Sequence, residues 1–243
     1  MAISDKLQEV YDNVSLVYAA GLSNGRAENW LYYATCLNNV FGGSIFPTNS
    51  RITLQIKQAP TKSDYMFNNC RNVSYIKLIG DEPQTNTLDM TSAFAIAANA
   101  TTLARIETID LSQYCGGESL KLKSPGTAVP SSINSNFAAY QSRLKYIYGM
   151  LDLTMLTNTG NMFLKCSELI EVRFVANTIR YMIKFNDCTK LSKETLTSIV
   201  NGLADDVTGK GVVLSLTAIN SAFTTDEWNA LIATKPNWAF TYA

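Results

Sequence analysis

The feature that most limits what this chain can fold into is a recurring phenylalanine–cysteine spacing. Phe67, Cys70, Val73, Ile76 and Leu78 form one unit, and Phe163, Cys166, Leu169, Val172 and Phe174 form a second. Phe185, Cys188 and Leu191 begin a third, 22 residues after the second. The shared pattern is F-x-x-C-x-x-[LV]-x-x-[IV]-x-[LF]. Two looser copies lie between, Phe94 with Leu103, Ile106 and Ile109, and Phe137 with Leu144, Ile147 and Met150, each displaced by an insertion between the phenylalanine and the leucine. A second register supports the first. Leu88-Asp89-Met90-Thr91, Ile109-Asp110-Leu111-Ser112 and Leu151-Asp152-Leu153-Thr154 repeat one apolar-Asp-apolar-hydroxyl tetrad.

The spacing predicts local structure. Apolar residues three apart suit one or two helical or 3₁₀ turns with a single buried face, and the alternating tail suits a short strand. One unit cannot bury its own apolar side, so neighbours must stack, with small residues such as Cys filling the crowded interior. The expected fold is therefore an α/β repeat: a leucine-rich-repeat-like β-solenoid with an N-terminal helix and an α+β C-terminal cap. The expected segments are 1–49 as N-terminal helical cap, 50–191 as solenoid and 192–243 as C-terminal cap.

Within that frame, residues 4–20 read as a helix. Ser4 is its N-cap, and Leu7, Val10, Tyr11, Val14, Val17 and Tyr18 share one face. It either caps the open end or serves self-association; two heptads are too few for a coiled coil. Ile52, Leu54 and Ile56 alternate inward over a strand at 50–58, and Thr178 to Phe185 is another strand candidate. The Gly- and Pro-rich stretch 115–135 is the largest loop signal. Ser192 with Thr195 opens a helix to Leu203, Val212 to Leu216 is a strand, Thr225-Asp226-Glu227 caps a helix to Thr234, and Trp238-Ala239-Phe240 ends as a strand.

The units Met66 to Val73, Met162 to Leu169 and Phe185 to Leu191 resemble the BspA-type leucine-rich repeat, a family found in bacterial surface proteins and in bacteriophage or prophage proteins. The resemblance covers roughly residues 50–200. The opening Met1 to Leu7 with Val17-Tyr18, and the closing Trp228 to Thr234 with Asn237-Trp238, are similar to the ends of structural proteins of Firmicutes phages and prophages. The resemblance implies a non-enzymatic phage structural or binding protein, tail- or baseplate-associated, that contacts the host surface or another virion protein. The alternative is an intracellular interaction module, such as a phage inhibitor of a host protein.

Composition narrows the chemistry. Lys plus Arg number 20, as do Asp plus Glu, and the sequence has no histidine. A net charge of zero gives no footprint for nucleic acid. Without histidine there is no Ser-His-Asp triad, no Cys-His dyad and no histidine general base. Five cysteines without a C-x-x-C predict reduced, buried thiols and neither disulfides nor a metal site. The pairs Asp81-Glu82, Asp205-Asp206 and Asp226-Glu227 read as turns and helix starts, and the Asp89, Asp110 and Asp152 series reads as outward or turn-capping residues and not calcium ligands. No glycine cluster fits a phosphate loop. No cofactor is expected. The N-terminus has no apolar h-region, and no run of 18 apolar residues exists. Synthesis in a bacterial host cytoplasm followed by residence in the virion is expected, with the host cytoplasm as the alternative.

The candidate binding face consists of the residues flanking each buried strand centre: Tyr75 and Lys77 around Ile76, Arg105 and Glu107 around Ile106, Tyr146 and Tyr148 around Ile147, Glu171 and Arg173 around Val172. Stacked units would align them in an aromatic and charged strip. The same residues also fit an ordinary solvated sheet face with β-favouring tyrosines. The partners such a strip takes are a protein or a cell-surface glycan, without nucleic acid or membrane insertion, and with homo-oligomerisation through the N-terminal helix.

Overall fold

The computed structural model describes residues 16–18, 50–56, 67, 70, 73–80, 87–89, 93–96, 104–114, 120–123 and 136–243. In chain order these carry β1 (Leu16–Tyr18), β2 (Ser50–Ile56), β3 (Val73–Gly80), β4 (Thr87–Asp89), β5 (Thr108–Gln113), β6 (Leu120–Lys123), β7 (Tyr146–Met155), β8 (Glu171–Phe174) and β9 (Ile183–Phe185). The C-terminal part adds α1 (Lys193–Gly202), β10 (Lys210–Leu214), α2 (Leu216–Ala222), α3 (Thr225–Ile232) and β11 (Trp238–Tyr242).

The strands form an eight-stranded sheet in the order β1-β2-β3-β5-β7-β6-β4, with β8 also on β7, and a three-stranded sheet β11-β10-β9. Every strand pair among the described residues is parallel. This corrects the expected β-solenoid. A solenoid with one strand per unit lays its strands side by side in chain order, whereas here the order turns back through β6 and β4 and branches at β7. The physical cause is unequal unit length: Phe67, Phe94, Phe137, Phe163 and Phe185 stand 27, 43, 26 and 22 residues apart. The extra chain in the longer units supplies β4 and β6, which pair with each other, and β6 in turn pairs with the second half of the ten-residue β7. Strand pairing also crosses the expected segment boundaries, β1 joining β2 and β9 joining β10.

The expected helix over 4–20 is also corrected where it is described, because Leu16–Tyr18 is a strand paired with β2. The rest of that segment lies outside the described residues, as do Asp81-Glu82, Cys36 and Cys115. The 115–135 loop contains β6.

The repeated positions build the core. Phe67, Phe94, Phe137, Phe163 and Phe185 are all buried and form one continuous column, with successive ring centroids 5.4, 5.3, 6.2 and 5.0 Å apart. These are stacked and edge-to-face geometries, which aromatic quadrupoles favour. Beside the column, Ile76, Ile109 and Ile147 stand in parallel register, all fully buried. Cys166 Sγ donates to the carbonyl of Ala138 at 3.1 Å, and Cys188 Sγ to that of Phe163 at 3.6 Å. In the Phe137 unit, which lacks the cysteine, Gln141 Nε2 donates to the carbonyl of Phe94 at 2.7 Å. Each donor thus reaches back to the backbone of the preceding unit, and the Ala138 and Phe163 carbonyls accept the Gln141 and Cys166 amides as well.

One edge of the large sheet is closed by side chains. Thr195 Oγ1 on α1 accepts from the Val172 amide and donates to the Ile170 carbonyl, and Ser198 Oγ accepts from the Phe174 amide. Ser192 caps α1 by accepting from the Thr195 amide. Leu196, Ile199, Val200 and Leu203 are all buried, as the helical spacing predicts. α3 opens with a capping box between Thr224 and Glu227. α2, which the sequence reading did not contain, occupies Leu216–Ala222. The buried Lys235 Nζ ties the last turn to Asn177, the Leu203 carbonyl and Asp205 at 2.6–2.8 Å.

Gly149 interrupts β7 at φ +98°, and a Cβ there would lie 3.0 Å from the Leu111 carbonyl carbon of β5. Gly209 also has a positive φ, +67°, but open space around it. Gly149→Ala should therefore cost about 1–3 kcal/mol of stability, and Gly209→Ala only about 1 kcal/mol. Urea unfolding of both variants checks this; equal losses would show that the close approach of β5 and β7 is unimportant.

Candidate functional site

Parallel sheets are ordinarily covered on both faces. Among the described residues, one face of β3, β5, β7 and β8 is buried and the other reaches solvent, with Tyr148 38% and Met150 44% exposed. The register fixes which side chains share that outer face. Arg51, Tyr75, Thr108, Tyr146 and Glu171 stand in one row across β2, β3, β5, β7 and β8. Thr53, Lys77, Asp110 and Tyr148 form the next row.

Six of the eight residues singled out from the sequence, Tyr75, Lys77, Tyr146, Tyr148, Glu171 and Arg173, lie on these strands. Arg105 and Glu107 do not. Strand β5 begins at Thr108, so the strip positions of that unit are Thr108 and Asp110. The inserted residues of the unit shift its alignment by one step: Ile109, not Ile106, pairs with Ile76 and Ile147. Glu107 precedes the strand, with its amide donating to the Ser74 carbonyl and its carboxylate 3.0 Å from Lys145 Nζ. Arg105 Nη1 donates to the Ala104 carbonyl. Met150, placed inside by the pattern, is outside because the backbone at Gly149 offsets the alternation and buries Leu151 instead.

The strip is held as a connected surface. The Arg51 guanidinium lies 3.8 Å from the Tyr75 ring centroid, a cation–π geometry. The Tyr146 and Tyr148 rings are stacked, with centroids 5.8 Å apart and planes 11° from parallel. Arg173 Nε donates to Glu171 at 3.0 Å. Beyond Arg173 the face runs into a groove of about 600 Å³, lined by Met150, Arg173, Phe174, Thr197, Ser198 and Asn201 among others.

Asp110 sits at the centre and is only 8% exposed. Its Oδ1 accepts from the Ser112 amide at 3.0 Å and hydroxyl at 2.6 Å, its Oδ2 accepts from the Tyr75 hydroxyl at 2.9 Å, and Lys77 Nζ is 3.7 Å away. Burial alone would raise its pKa; the Ser112 and Tyr75 hydrogen bonds and the Lys77 charge outweigh it and hold the carboxyl below the usual range. Burial first, and then the hydrogen bond to Asp110, push the Tyr75 phenol up to about 12, so it remains a donor. Asp152 repeats the tetrad geometry, its Oδ1 accepting from the Thr154 amide at 2.9 Å and hydroxyl at 2.6 Å. The tetrad is thus a local bond within a strand, inside β5 and inside β7, and not the turn cap expected from the sequence. An ionised, fully engaged carboxylate of this kind is poorly placed for proton transfer.

Cys70 and Cys166 are buried, and burial pushes both thiols up to about 12; Cys188 is raised for the same reason. They are protonated packing groups and weak nucleophiles. Among the described residues no cluster of three or more Cys, Asp or Glu side chains is placed to hold a metal ion, and no helix is long and apolar enough to cross a membrane.

Sequence reasoning missed Arg51, Thr108 and Asp110 as members of this face. Arg51 was within reach of the alternation, since it precedes the inward-reading Ile52. The comparisons add no relative: no protein-family model, no curated protein and no solved structure matches the chain.

Asp110→Asn keeps the volume but sets an amide donor among donors, and should cost about 1–3 kcal/mol at neutral pH. Because the folded-state carboxyl is held below the usual range, its contribution is full above the unfolded value of about 3.9 and is lost as pH falls through the lower folded value. Urea unfolding of wild type and variant should thus converge in acid. A gap that does not change with pH would contradict the network.

Proposed function

We propose that this chain is a non-enzymatic bacteriophage or prophage particle protein that uses the outer face of its large parallel sheet to contact a host surface or another particle protein. The observation that carries the binding role is the outer face of strands β3, β5, β7 and β8, on which Tyr146 stacks on Tyr148, Arg173 pairs with Glu171, and Tyr75 and Lys77 are both held by Asp110. Tyrosine and arginine supply large contact area at low entropic cost, and pre-pairing holds them in place before a partner arrives. The particle assignment rests on the resemblance of the F-x-x-C units to BspA-type repeats and of the chain's ends to phage structural proteins.

Mass spectrometry of purified particles from the cell that encodes the chain tests the assignment. The expected result is the chain at a fixed multiple of three or six copies per particle. A chain abundant in the lysate but absent from particles would overturn it, and a single stoichiometric cytoplasmic partner would then favour the intracellular interaction module. The binding role is tested by retention on host cell envelopes. Tyr148→Ala with Arg173→Ala should lower retention at least tenfold without changing the melting temperature, and unchanged retention would contradict it.

A further inference from the structure

A second groove, of about 510 Å³, lies between the 157–161 turn, the β9 approach and the start of β10. Its lining includes Asn158, Asn161, Tyr181, Lys184, Lys210 and Gly211. It shares no residue with the tyrosine strip. The floor is fixed: Thr159 Oγ1 donates to the Tyr181 and Met182 carbonyls at 3.2 and 2.7 Å, and Thr159 bridges to Ile183 in parallel. The mouth is open, since a Cβ added at Gly209 would meet nothing within 4 Å.

The charge pattern singles this groove out. In the continuous segment 136–243, Lys145, Lys165, Lys190, Lys193 and Lys235 are each ion-paired. Lys184 and Lys210 have no carboxylate partner among the described residues, and both line this groove. No carboxylate lines it with them. Lys210 Nζ stands 5.7 Å from the Tyr181 ring centroid, and that ring is 37% exposed. Two uncompensated ammonium groups in one concavity favour an anion. Amides, glycine backbone and an accessible tyrosine ring match a hydroxylated framework around that anion.

We infer that this groove is a binding site for an anionic saccharide, a sugar bearing a phosphate or carboxylate group held between Lys184 and Lys210. The groove has the volume of an ordinary small-ligand pocket.

The test is a backbone-amide NMR titration of the full chain with glucose 1-phosphate, glucuronate, inorganic phosphate and glucose. Saturable shifts at Tyr181, Gly209, Lys210 and Gly211 are expected with at least one charged sugar, and the preferred one identifies phosphate or carboxylate as the anion. The double variant Lys184→Gln, Lys210→Gln should weaken binding at least tenfold. Lys165→Gln with Lys190→Gln removes the same charge elsewhere and should leave binding intact. No saturable shift with either charged sugar would overturn the site, as would equal weakening by both double variants. Glucose binding as well as its phosphate would remove the anion from the account, and inorganic phosphate binding as well as the sugar phosphate would remove the saccharide.

Discussion

The fold depends on how each unit is stitched to the one before it. A phenylalanine ring continues the column, and in the Phe137, Phe163 and Phe185 units a buried donor a few residues later reaches back to a backbone carbonyl of the preceding unit. Cys188 bonds to Phe163, Cys166 to Ala138 and Gln141 to Phe94. The ring contributes apolar burial and aromatic contact. The donor adds a hydrogen bond between units; at Ala138 and Phe163 it is a second bond, since those carbonyls also accept the Gln141 and Cys166 amides. Cysteine suits the task because it is small, largely apolar and still a weak donor. Glutamine does the same in the unit where an inserted residue has moved the donor position.

From that stitching the rest follows. Units held in one register bring their strands into parallel pairing, with isoleucines aligned inside. The same register aligns the alternate residues outside, which is why tyrosines, lysines and aspartates from distant parts of the chain become neighbours. Beside β8, α1 takes the place of a next strand, its Thr195 and Ser198 hydroxyls accepting the Val172 and Phe174 amides and Thr195 donating to the Ile170 carbonyl. The unequal unit lengths supply β4 and β6 and branch the sheet at β7.

Much of the core was legible in the sequence, because residue type and spacing determine burial locally. The phenylalanines, the cysteines, Ser192 as a cap and the buried face of α1 all belong to this class. Register was less legible. An insertion between Phe94 and its strand leaves two alignments open, and only pairing with β3 and β7 selects Ile109 over Ile106. Met150 was misplaced because alternation assumes regular strand, and Gly149 is not in regular strand conformation. α2 is only seven residues long, and Ser215 makes no side-chain cap hydrogen bond, so neither periodicity nor capping announces it. Strand order is a property of pairing between distant segments, and no local pattern encodes it.

The central claim is that the phenylalanine column couples successive units into one cooperative body. Native-state amide hydrogen exchange of Phe163→Leu tests it most directly, because Phe163 touches Phe137, Phe174 and Phe185. Protection is expected to fall together in β7, β8 and β9, by a similar free energy in each. Loss of protection confined to the turn around Phe163, with β7 and β9 unchanged, would contradict it.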